Sequence, residues 1–100
     1  MVKAIQIDGR DNVATVTSDV GAGEVVDVLS PEGSVLMAPK VVDDIGFGHK
    51  LALLSLSLGE NVIKYGEVIG VASRPIRVGA WVHTHNVESV AVPTSSSEVE

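Results

Sequence analysis

Two of the chain's three histidines, His83 and His85, stand one residue apart in the run GAWVHTHNV, residues 79 to 87, beside its single tryptophan, Trp81. On an extended strand successive side chains point to opposite faces. Trp81, His83 and His85 would then share one face, with Val82 and Thr84 on the other. Imidazoles titrate near neutral pH and coordinate divalent metals, so the pair fits a general acid and base or part of a metal site. It also fits a solvated pair or one satisfied in the core, since two ligands do not complete a metal site.

Two further runs carry chemistry. In GFGHK, residues 46 to 50, glycines flank Phe47, and His49 and Lys50 follow. Such a loop lets backbone approach a ligand, with a cation at hand for an anion. In VIKYGEVIG, residues 62 to 70, Lys64 stands among apolar residues. It reads as a surface lysine with its stem on apolar surface, or as an anion binder. On a strand, Lys64 and Tyr65 would face opposite ways, so only one could face a given site.

The elements that must position these residues read as β. KAIQID and VATVTSDV alternate apolar and polar residues, as half-buried strands do. GRDN between them is turn chemistry, and SPEG separates the apolar runs GEVVDVL and SVLMA with a proline-to-glycine turn. NVIKYG, EVIGVAS and AWVHTHNV follow, each bounded by glycine or proline. HKLALLSLSL, residues 49 to 58, is expected as strand or irregular structure, and the only helical structure the chain leaves room for is one turn near Val41 to Asp44. A weak repeat recurs: an apolar residue, two residues, glycine, two residues, valine. It spans Val20 to Val26, Leu56 to Val62 and Ile76 to Val82, with Gly23, Gly59 and Gly79 turning the chain into the next strand. Short strands with regular turn signals predict a small, mainly β barrel or sandwich-like domain.

One hundred residues make one domain, and at 45% apolar they can bury a core. With three aromatics, that core must be mostly aliphatic. A net charge of −6 argues against non-specific binding to nucleic acid or anionic membrane. No cysteine means no disulfide framework and no thiolate chemistry. No run has transmembrane length, and the N-terminus lacks a signal peptide's apolar core, so a cytoplasmic protein is expected. The ordered domain is expected over residues 1–93, with PTSSSEVE supplying a disordered acidic tail over 94–100.

GHKLAL, GENVIKYGEVIGVAS and IRVGAWVHTHNV, with DNVATV before them, together resemble the N-terminal module of the altronate and galactarate dehydratase family. The module also occurs as the small subunit of sulfolactate sulfo-lyase. The resemblance covers about residues 9 to 87, and the order and spacing of G-H-K, I-K-Y-G and V-H-T-H-N make it specific. It implies an SAF domain of the β-clip fold. It also implies a lyase that eliminates water or sulfite from a hydroxy-carboxylic acid with a divalent metal, Fe2+ being the expected ion.

In full-length members the module precedes a large catalytic domain. The resemblance therefore implies a small subunit, inactive alone, that works with a separate large catalytic subunit on a small anionic hydroxy acid. Homo-oligomerisation is left open. Removing a proton α to a carboxylate needs a base and stabilisation of the resulting charge, and the leaving hydroxyl needs a proton or a Lewis acid. His83, His85 and His49 suit acid–base roles, with His83 and His85 also candidate metal ligands. Lys50 and Lys64 suit a carboxylate or sulfonate, and Asn86 suits a substrate hydroxyl. Trp81 is read as packing beneath the site. The rival readings are a non-catalytic SAF-type module that binds a small acidic sugar or a partner protein, and a structural lid.

Overall fold

The β-branched runs do form strands, but short ones. The structure, a computed structural model, describes residues 2–89; the expected boundary at Pro93 and the tail 94–100 lie outside them. Its strands are β1 (Lys3–Ile5), β2 (Val13–Val16), β3 (Asp27–Leu29), β4 (Val35–Met37), β5 (Lys50–Ala52), β6 (Asn61–Lys64), β7 (Glu67–Ala72), β8 (Trp81–Val82) and β9 (Val87–Glu88). A six-stranded sheet runs β4-β3-β1-β2-β5-β8, and a three-stranded sheet runs β6-β7-β9. All pairs are antiparallel except β1 with β3. Among the described residues there is no helix, and so none long and apolar enough to cross a membrane. The domain is mainly β, as its patterning requires.

Strands of three or four residues cannot satisfy a chain's backbone by themselves, and the glycine repeat supplies the rest. The structure adds a fourth copy to the three seen in sequence, Ile45 to Leu51 with Gly48 at the pivot. All four pivots have positive φ: 94° at Gly23, 83° at Gly48, 87° at Gly59 and 87° at Gly79. That conformation favours a residue without a Cβ. The copies then pair. Val20 and Ile45 exchange N–H···O bonds of 2.8 Å, as do Leu56 and Ile76.

Within each pair the turns clasp each other. Gly23 N–H donates to Val41 O, and Val41 N–H returns a bond to Glu24 O. Gly48 and His49 hold Val16 in the same way, Gly59 and Glu60 hold Ala72, and Gly79 and Ala80 hold Ala52. The held residue always lies four positions before the partner's opening apolar residue. Two reciprocal clasps result, each with its own core. Val16, Val20, Val26, Val41, Ile45 and Leu51 fill the first. Ala52, Leu56, Val62, Ala72, Ile76 and Val82 fill the second.

The expected helical turn at Val41 to Asp44 does not form, because distant partners claim its groups. Val41 is held by the Gly23 turn, and Val42 N–H donates to Gly79 O at 3.0 Å. The Asp43 carboxylate accepts Trp81 N–H and the Asp44 carboxylate accepts Ala22 N–H, each at 2.9 Å. The bonds from Val42 to Gly79 and from Trp81 to Asp43 tie the first clasp to the second, while that from Ala22 to Asp44 closes within the first. The close approach centres on Gly79, where an added Cβ would clash with the Lys40 carbonyl oxygen.

Gly23 and Gly79 share a φ but not a neighbourhood, since nothing lies within 4 Å of a Cβ built on Gly23. Gly23→Ala should therefore cost about 1–2 kcal/mol, the strain of positive φ alone. Gly79→Ala should cost roughly 3–4 kcal/mol, because a backbone clash joins the strain. Urea midpoints of the two variants check this, and coincident midpoints would contradict the clasp-to-clasp contact.

Candidate functional site

The single strand expected from Trp81 to Val87 breaks after Val82. Asn86 breaks it: its Oδ1 accepts His83 N–H at 2.9 Å, its Nδ2 donates to Trp81 O at 2.8 Å, and its own N–H donates to His83 O at 3.1 Å. The run His83-Thr84-His85-Asn86 is thus a tight turn, because an asparagine side chain competes with a strand ladder for local backbone groups. The turn carries the chain from β8, the edge of the large sheet, to β9, the edge of the small one. Asn86 is 5% exposed and engaged at both ends of its amide. It shapes the turn rather than pointing outward.

Strand alternation therefore cannot bring His83 and His85 together. Trp81 does. The His83 ring stacks on the indole with centroids 5.3 Å apart and planes 9° apart, and the His85 ring leans on it at 4.8 Å. His49 meets the indole edge at 5.7 Å and the His83 ring at 5.1 Å. The Trp81 indole N–H donates to His49 Nδ1 at 3.3 Å. Trp81 does pack on the first core, as read from sequence, but it is also the surface against which all three imidazoles are arranged. His49 reaches it because of its place in the repeat. At the same position in two sibling turns stand Glu24 and Glu60, whose carboxylates cap their own turns at Gly21 N–H and Ser57 N–H.

Lys50 lies directly opposite Val82 across the β5–β8 pair. It lines a cleft of about 210 Å³ with Ile69, Val82, His83, Thr84 and Val87, at the seam between the two sheets. Burial holds the Lys50 ammonium below its ordinary basicity, and the charge of Lys64 adds to this. Lys64 ends β6, in the small sheet. The expectation that Lys64 and Tyr65 diverge fails, because Tyr65 lies in a turn and not in a strand. Lys64 Nζ stands 4.9 Å from the Tyr65 ring centroid.

The hairpin that carries Lys64 is gripped by the GRDN loop. Asn12 Oδ1 accepts Ile63 N–H at 2.8 Å and its Nδ2 donates to Asn61 O at 2.9 Å, while Asp11 Oδ1 accepts Gly66 N–H at 2.8 Å. Asp11 and Asn12 are buried. Sequence reading took GRDN for a simple turn and missed this anchoring. Its signal was two side chains that mimic backbone.

A divalent metal finds no complete ligand set here. Among the described residues no three His, Cys, Asp or Glu side chains converge to hold one. His83 and His85 offer two imidazoles, and His49 Nδ1 is taken by Trp81. What the site can do is attract a small anion to Lys50 and present imidazoles at the same seam.

Comparison with known proteins agrees with this architecture. Residues 2–90 match the altronate/galactarate dehydratase SAF domain. The chain is 35% identical over 89 residues to altronate dehydratase of Bacillus subtilis, covering 89% of this chain and 17% of that one. It is 39% identical over 80 residues to galactarate dehydratase (L-threo-forming) of Escherichia coli, covering 78% and 14%. It is 37% identical over 83 residues to (2R)-sulfolactate sulfo-lyase subunit alpha of Chromohalobacter salexigens, covering 82% and 88%. The chain thus spans less than a fifth of the dehydratases it matches and most of the sulfo-lyase subunit.

A lysine whose folded basicity is depressed binds fewer protons folded than unfolded as pH approaches its ordinary range. Its contribution to stability therefore rises with pH there, because the buried charge is shed. Lys50→Met should flatten that rise and stabilise the chain at neutral pH. Urea titrations of both proteins at pH 7 and pH 10 check the sign. A wild type that gains nothing relative to Lys50→Met between those pH values would contradict it.

Proposed function

Because this chain belongs to the altronate/galactarate dehydratase SAF-domain family, we propose that it serves a lyase of that kind as a small subunit. It would act with a separate large catalytic subunit, in the cytoplasm, on a small hydroxy-carboxylic or sulfonated acid. The observation that carries the reading is the seam cleft, where Lys50 and His83 meet beside the Trp81 cluster. The match over most of a protein named as a sulfo-lyase subunit alpha supports the subunit role.

In this reading Lys50 and Lys64 draw the carboxylate or sulfonate to the seam, where partial burial strengthens each charge. A neutral imidazole of the cluster takes the proton α to the carboxylate, and an imidazolium returns a proton to the departing hydroxyl, which leaves as water. Departing sulfite needs no such proton. Trp81 keeps the three rings within one site, and Asn86 sets the turn that presents His83 and His85. The divalent metal, Fe2+ by family resemblance, would draw most of its ligands from the large subunit. No step assigned to this chain runs through it.

A second reading is a binding module without chemistry. It is favoured by the lack of a three-donor metal group among the described residues. In that case the cleft would hold the acid or a partner while the large subunit did the elimination unaided.

The two readings diverge on reconstitution. The chain alone should show no dehydratase or sulfo-lyase turnover, and should confer it when mixed with a family large subunit and a divalent metal. His83→Gln and His85→Gln should each cut that turnover about a hundredfold, the usual scale for a lost acid–base group. Melting temperature and complex formation should change little. Folded, assembled and fully active variants would overturn the catalytic reading in favour of the binding module.

A further inference from the structure

An edge strand presents backbone groups that can pair with another strand, and folded chains cover or blunt their edges for that reason. The outer strands of the two sheets are β4, β8, β6 and β9. Side chains of this chain cover two of them. On β6, Asn12 bonds to Asn61 O and to Ile63 N–H. On β8, Asp43 accepts Trp81 N–H and Asn86 donates to Trp81 O. β9 is two residues long. At β4, among the described residues, the nearest such bond stops at Ser34, whose N–H donates to Ser30 Oγ at 3.1 Å.

The composition of β4 does not blunt it either. Val35-Leu36-Met37 carries no charge and no proline. A register shift against β3 sets Leu29 opposite Val35 and Val28 opposite Met37, so Leu36 has no residue opposite it. Val35 is 60% exposed and Leu36 50%. Leu36 also walls a hollow of about 470 Å³ with Ile7 and Pro31.

Charge decides what fits this edge. Residues 30–40 hold two charged side chains, Glu32 and Lys40, each four positions from Leu36. Both are exposed. Antiparallel pairing of β4 with β4 of a second copy, about a two-fold axis through Leu36, sets residues equally far before and after Leu36 against each other. Leu36 then meets Leu36 on one face, and Val35 meets Met37 on the other. Glu32 of each copy meets Lys40 of the other. Moving the axis off Leu36 loses both ion pairs.

We propose that β4 is a self-association edge on which a second copy of this chain docks, joining two six-stranded sheets into one. β4 and β8 lie at opposite ends of the large sheet, so a seam cleft stays free at each outer end of the pair. The contact involves few residues from each chain, which makes the dimer weak and concentration-dependent.

Sedimentation of the full chain from micromolar to millimolar concentration should show its mass rising toward that of two copies. Leu36→Lys should abolish the rise with Tm unchanged, because it places like charges face to face at an exposed position. Glu32→Lys and Lys40→Glu should each weaken association about fivefold or more, the scale of two surface ion pairs turned repulsive. The double variant Glu32→Lys/Lys40→Glu should restore it, a rescue specific to this register. A chain that stays monomeric throughout, a folded Leu36→Lys that associates like the wild type, or a double variant as weak as the single ones would overturn the proposal. A monomeric chain whose complex with a family large subunit is lost in Leu36→Lys would also overturn it, and would assign the edge to that subunit.

Discussion

The reciprocal hydrogen bonds between paired glycine turns are what the rest of this structure depends on. Each turn uses its glycine N–H and the carbonyl after it to bind both backbone groups of one residue in the partner turn. Strands as short as Lys3–Ile5 or Trp81–Val82 could not satisfy their chain otherwise, and an unpaired buried backbone group is costly. The clasp removes that cost with almost no ladder. It also explains how an aliphatic core nearly free of aromatics suffices. The opening, held and closing residues of each turn converge by symmetry, as Val20, Val41 and Val26 do in the first clasp.

The candidate site lies where the two clasps meet. β8 is only two residues long, yet alternation sends Trp81 toward the first core and Val82 into the second. The turn after it joins the large sheet to the small one. Lys50 comes from the large sheet, whereas Lys64 ends β6 in the small one. Burial and mutual repulsion then weaken Lys50's hold on its proton.

Buried polar side chains do the fine positioning. Asn12, Asp11 and Asn86 each replace a backbone partner, and each is buried. Asn12 and Asp11 fasten the hairpin that bears Lys64 and Tyr65, while Asn86 bends the run that bears His83 and His85. None is placed to touch a ligand directly. The residues that could do so, the histidines and lysines, are half-buried or exposed and owe their arrangement to these anchors and to Trp81.

Sequence by itself determined the β class, where along the chain most strands lie, and the glycine turns, because alternation and positive φ are properties of neighbouring residues. It also determined which residues could do chemistry, and its resemblance to the dehydratase family was carried by motifs in the right order. Other features were decided only in the tertiary structure. The fourth repeat copy ends in Leu51 rather than valine and showed itself through the bonds between Ile45 and Val20. The HTHN run looked like a strand until Asn86 turned inward. Val41 to Asp44 looked able to turn helically until Gly23, Gly79, Trp81 and Ala22 claimed its groups. The bond from Ile63 to Asn12 spans 51 residues and that from Gly66 to Asp11 spans 55. Periodicity reports what a residue prefers among its neighbours, whereas these partners meet only once the two clasps have closed.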